Sequence, residues 1–152
     1  MRKFQLFIPL LFYAQLTFSQ EKKDEKKAGK IPETYVSPNA YLSKYYTQEE
    51  LEKMGKIELT EIYMERIMVL TEIIPYLALK SKPGATLKEM GIPETKANIE
   101  HMQNAVKSKK AYLDAVRGTL DDVIPYSDKS NIIWSILFFE RMIKRAQEGI
   151  ND

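Results

Sequence analysis

Between Ile57 and Leu79 the apolar residues recur at helical spacing. At about 100° per residue, Leu59, Ile62, Tyr63, Ile67, Val69, Leu70, Ile73, Ile74 and Leu77 share one broad face, while Glu58, Glu61, Glu65 and Glu72 lie opposite. The spacing predicts a long amphipathic helix that buries one side. Arg66 breaks the pattern by projecting from the middle of the apolar face, where an unpaired charge costs several kcal/mol, so it needs an acidic partner or a ligand.

The segments around this helix read as its partners. Thr47, Gln48, Glu49 and Glu50 form a capping box, so a helix starts there. It either continues through Gly55 into the long helix or stops at Gly55 as a short helix of its own. Pro75 disturbs the far end, and Ser81 to Gly84 stop it. Thr86 to Met90 suggest a single turn ended by Gly91. Pro93 suits the first turn of a second helix, with Glu94 and Glu100 near its positive end and Ile99, Met102, Val106, Leu113, Val116, Leu120, Val123 and Ile124 on one side. Pro125 to Ser127 interrupt it. Asp128 then caps a third helix from Lys129 to about Gln147, before Gly149.

That third helix is apolar nearly all round at its start, through Ile132, Ile133, Trp134, Ile136, Leu137, Phe138 and Phe139, before Glu140, Arg141, Lys144 and Arg145 restore polarity. Such a helix is sandwiched or offers a surplus face to a partner. Trp134 and Leu137 or Phe138 are expected to pack beneath a covering segment or to remain exposed. The covering segment is Ile31 to Tyr46, where Pro32 and Pro38 exclude regular structure while Tyr35, Val36, Tyr41, Leu42, Tyr45 and Tyr46 supply apolar surface for an extended strap. Two stretches resemble each other, LTEIIPY at 70–76 and LDDVIPY at 120–126. The economical explanation is a shared way of ending a helix, with Pro disrupting the last turn and Tyr folding back on the bundle.

The predicted fold is therefore all-α: an antiparallel bundle of three main helices, with a short fourth from Thr47 if Gly55 breaks the chain. It occupies residues 47–152 and follows a tether and strap over 20–46. Residues 1–19 have the pattern of a cleaved signal peptide, with Arg2 and Lys3, an apolar run from Phe4 to Phe18, and small residues Thr17 and Ser19 at the cut. The run is short against the roughly 20 residues a spanning helix needs, and Pro9 breaks it. Export is thus expected, to the periplasm or the exterior if the source is bacterial, with no membrane-spanning segment in the mature chain. Residues 20–30 mix both charge signs and hold no apolar residue larger than Ala28, which predicts a disordered tether.

Composition narrows the function classes. The chain has 23 Lys+Arg and 21 Asp+Glu, and loss of Arg2 and Lys3 leaves a neutral product, so nothing points to nucleic acid. The Cys count is 0, which excludes disulfides and thiol chemistry. His101 is the one histidine, and no Glu-x-x-His pair accompanies it because position 98 is Asn98. Met64, Met68, Met102 and His101 could in principle form a soft metal site, but methionines at helical spacing are most simply core filler. No catalytic residue, metal site or cofactor is assigned. Lys107, Lys109 and Lys110 form a small basic patch that reads as a solvated face.

Two functional expectations remain. One is a non-catalytic interaction or scaffold module that docks a protein or another copy of itself through Tyr45, Tyr46, Trp134, Leu137 and Phe138. The alternative is a small-ligand binder in which Arg66, partnered by Glu140, orients an anionic group in an interhelical pocket. The structural role for the same pair is an interhelical salt bridge that fixes helix register.

Overall fold

The computed structural model describes residues 34–79 and 82–151. The predicted signal peptide, the tether and the first residues of the strap lie outside that range. The described residues form an all-α bundle with three long helices and one short one. Helix α1 (Gln48–Glu52) is followed by α2 (Lys56–Ile73), α3 (Lys96–Val123) and α4 (Lys129–Asn151). Among the described residues no helix is long and apolar enough to cross a membrane.

Local chemistry sets the boundaries. The Thr47 side chain accepts from the Glu50 amide and the Glu50 carboxylate accepts from the Thr47 amide at 2.8 Å, completing the capping box that starts α1. Gly55 does break the chain: it is the extended N-cap of α2, so α1 and α2 are separate. At Ile74 and again at Ile124 the α-helix tightens into a 3-10 segment, because the following Pro75 and Pro125 have no N–H for the next α-helical bond. The two related sequence stretches thus end their helices in the same way. Their tyrosines differ: Tyr76 packs against Tyr35 with ring centroids 5.2 Å apart and the rings tilted by 39°, whereas Tyr126 is 90% exposed instead of folding back. Helix α3 begins at Lys96, not at Pro93. Thr95 outcompetes the proline as a start signal because its hydroxyl accepts from the Asn98 amide at 3.2 Å. Gly149 does not stop α4, which continues to Asn151.

Helix α2 is the centre of the bundle. Leu59 and Ile62 pack with Ile132, Ile133 and Ile136 of α4, and farther along Val69, Leu70 and Ile73 pack with Ile143, so α2 and α4 run in the same direction. Helix α3 runs the opposite way along the other side of α2. Its Arg117 is paired with Glu61 at 2.8 Å, and Lys109 with Glu72. Of the predicted stripe, Leu59, Ile62, Val69, Leu70 and Ile73 are buried and are joined by Met64, Tyr63 and Ile67 are half-buried, and Ile74 and Leu77 sit exposed in the 3-10 segment. Helix α3 packs shallowly, with Met102 its one fully buried residue.

The strap has no regular structure from residue 35 to 46 and lies antiparallel to α2. Val36 and Ala40 belong to the same buried cluster as Val69, Leu70, Ile73 and Ile143, so the strap completes the core. Gly84 is where the connector approaches it. Its amide donates to the Val36 carbonyl at 3.0 Å, its φ is +82°, and a Cβ there would meet Pro38 at 3.2 Å.

Candidate functional site

Arg66 has 0% exposure and lies between α2, α4 and the strap. Each of its five N–H donors has an acceptor within the fold. Nε and Nη2 donate to Glu140 Oε1 at 3.1 and 2.6 Å. The second Nη2 hydrogen goes to the Lys44 carbonyl at 2.6 Å, and Nη1 serves the Ile62 carbonyl at 3.3 Å and the Glu65 carboxylate. The Tyr46 ring stands 5.2 Å from the guanidinium carbon, adding a cation–π contact. The predicted partner Glu140 is thus observed, and Glu65 is a second carboxylate on the same guanidinium. As placed, Arg66 has no donor to offer a ligand.

The carboxylates in this network fasten the strap. Glu140 Oε2 accepts from the Tyr46 amide at 3.2 Å, and Glu65 accepts from the Ser43 amide at 3.0 Å. Two helical turns on, about 10 Å along α2, Glu72 accepts from the Ser37 amide at 2.8 Å, and Lys109 donates both to Glu72 and to the Tyr35 carbonyl. Of the glutamates expected to face water, Glu65 and Glu72 are therefore docking points for backbone while Glu58 and Glu61 are exposed, and Lys109 of the expected solvated patch is half-buried and paired. Their periodicity was visible in the sequence. What was missing is that an irregular segment with unpaired amides needs such acceptors.

The aromatic residues divide between the two sides of α4. Phe139 turns inward and stacks on Tyr63 at 5.4 Å. Leu137 is half-buried against the first core cluster, as is Tyr46. Trp134 and Phe138 point outward, stacked on each other at 5.2 Å with 61% and 38% exposure. The described residues of the strap leave both exposed. Tyr45 is on the strap, and its hydroxyl donates to Gln147 at 3.0 Å; partial burial, with the Glu140 carboxylate nearby, pushes its phenol above the ordinary range.

Two cavities flank the outward pair. One of about 410 Å³ lies between α1 and α4 beside Trp134, with Gln48, Glu52 and Lys129 at its rim. Another of about 540 Å³ lies beyond Phe138, with Arg141, Arg145 and Glu148 around Met142. The face is thus apolar at its centre and mainly cationic toward the end of α4. His101 is exposed on α3, Met64 and Met102 are buried and Met68 is exposed. Among the described residues no group of three or more His, Asp or Glu side chains is placed to hold a metal ion.

Neither protein-family models, nor curated proteins, nor solved structures give a match to this chain.

Proposed function

We propose that the chain is a non-catalytic, exported scaffold module that docks a partner protein along the outer face of α4. The observation that carries this is the stacked Trp134–Phe138 pair standing in water on a helix whose inner face is already packed. Exposed aromatic area of this kind does nothing for the folded chain, whereas Trp and Arg are the side chains that most often anchor protein interfaces. Export rests on the pattern of residues 1–19.

The occupant that fits is an amphipathic segment bearing carboxylates. Its apolar residues cover Trp134, Phe138 and Met142, and its acids meet Arg141, Lys144 and Arg145, opposed on this face by Glu148. The charged side chains elsewhere favour scaffolding over chemistry, since Arg66, Glu65, Glu72, Glu140 and Lys109 are all engaged in fastening the strap.

A photo-crosslinking residue at position 138, compared with one at exposed position 107 on α3, tests the proposal. The expected outcome is a discrete adduct from 138 alone, lost in the Arg141→Glu/Arg145→Glu double variant, with the captured segment acidic and amphipathic. No adduct from 138, equal adducts from both positions, or adducts indifferent to the charge reversal count against it. An adduct of the chain with itself replaces the acidic partner by a second copy.

A further inference from the structure

A second surface also leaves large apolar side chains in water. It lies at the end of the bundle where α2 begins and α3 ends. Ile57, in the first turn of α2, is 87% exposed, and Tyr126, next to Pro125, is 90% exposed. A cleft of about 440 Å³ runs beside Ile57, with Leu120 and Pro125 in its walls. The Lys56 ammonium donates to the Pro125 carbonyl at 3.0 Å and ties the two helices together at that point.

The two surfaces carry opposite charge. At the cleft, the Glu61 carboxylate accepts from both arms of the Arg117 guanidinium, at 2.8 and 3.1 Å. Asp114 and Asp121 stand close enough to act on the same guanidinium, so carboxylates outnumber the cations Arg117 and Lys56. Asp121 is exposed on the cleft wall and has no ion pair among the described residues. On α4, Arg141, Lys144 and Arg145 are exposed and likewise unpaired among the described residues, with Glu148 beside them. Shape differs as charge does. Trp134 and Phe138 are stacked rings that project from α4, whereas the other surface is a cleft bordered by a bare aliphatic side chain. Within one chain the two cannot meet, because Leu120 and Ile124 on one side and Ile132 and Ile133 on the other are packed into a single core cluster. Between two copies they are complementary in sign and in form.

We infer that the occupant of the α4 face is a second copy of this chain, whose cleft between Ile57 and Asp121 receives Trp134 and Phe138 while its carboxylates lie against Arg141 and Arg145. This rests on the reading of the α4 face as a docking surface and names what docks there. Because the two surfaces are different, the contact is head to tail. Each added copy offers a free surface to the next, so association continues past the dimer until a ring closes.

Sedimentation velocity of the purified chain, from micromolar to millimolar concentration, tests this with two variants. Phe138→Asp disables the α4 face and Ile57→Asp disables the cleft. Both positions are exposed, and an acid in the first turn of α2 suits the helix dipole. The wild-type chain is expected to pass beyond the dimer as concentration rises, while each variant alone stays monomeric. Mixed together, the two variants form a one-to-one heterodimer and stop there, since the intact cleft of the first meets the intact α4 face of the second and no other intact pair remains. Asp121→Asn gives a check that does not depend on those variants folding. It weakens wild-type association about fivefold, as for loss of one exposed charge pair, and added salt weakens it as well. The inference is overturned if the wild-type chain stays monomeric throughout, if either aspartate variant associates like the wild type, if the mixed variants stay monomeric, or if neither Asp121→Asn nor salt weakens association. A monomeric wild type whose position 138 still crosslinks an acidic protein of another sequence removes the second copy and leaves the docking face standing. A monomeric wild type whose position 138 captures nothing removes both.

Discussion

Arg66 keeps a full charge where no water reaches it, and the surrounding carboxylates and carbonyls make that tolerable. Removing one partner leaves the other buried and uncompensated. Glu140→Ala is therefore expected to destabilise the chain by about 3–5 kcal/mol in urea unfolding. Replacing both partners by apolar side chains of similar size, Arg66→Met with Glu140→Leu, should recover most of that loss, because neither charge then has to be desolvated. A double variant as unstable as the single one would mean that the pair contributes more than register. Glu50 gives a different residue-scale prediction, since it is exposed and its contribution is small. Its bond from Lys44 and then the Thr47 amide hold its carboxyl below the ordinary carboxylate value. A folded pKa below the unfolded one means that the unfolded state takes up protons first as pH falls. The capping-box contribution is complete above the ordinary carboxylate range and is lost as pH drops through the depressed value. Carbon-13 titration of the Glu50 carboxyl should show the low midpoint, and Lys44→Met should raise it.

At the level of elements, α2 is held from both sides and the strap is held by its backbone. Amides of Ser37, Ser43 and Tyr46 and carbonyls of Tyr35 and Lys44 make the bonds. Side-chain identity at position 43 should accordingly matter little, whereas the amide matters. Ser43→Ala should be near neutral, and Ser43→Pro should cost about 1–3 kcal/mol by leaving a Glu65 oxygen without its donor. Comparable losses in the two variants would contradict a backbone-held strap. Gly55 offers an opposite change. It is an extended N-cap with φ −79°, has no side-chain bond, and has open space where a Cβ would be. Gly55→Ser should stabilise by about 0.5–1 kcal/mol, through a new cap and a less flexible unfolded chain.

The parts of the molecule that were legible beforehand are those governed by local rules. Thr47, Pro75 and Pro125 acted where they stand, and the mid-face position of Arg66 with Glu140 across the bundle came from helical spacing alone. Features that depend on what lies opposite were not legible. The outer side of α2 looked like a solvated acidic stripe because nothing in its own sequence announces that a strap and α3 cover it. Lys109 looked free for the same reason, and the shallow packing of α3 could not be told from its apolar period. The α4 pattern stated that one face was in surplus, and the fold assigned the surplus to Trp134 and Phe138, while Leu137 is half-buried against the core.

The central functional claim is that the face around Trp134 stands open in the free chain, ready for a partner. The chain has a single tryptophan, so its fluorescence reports on this face alone. Acrylamide quenching of Trp134, measured at a concentration where light scattering shows a monomer, is the most direct test. An open face predicts quenching close to that of a tryptophan in an unfolded peptide, with protection appearing only when the photo-crosslinked partner is added. A Trp134 already shielded in the isolated monomer would mean that this chain covers the face itself, and the docking surface would then have to lie elsewhere.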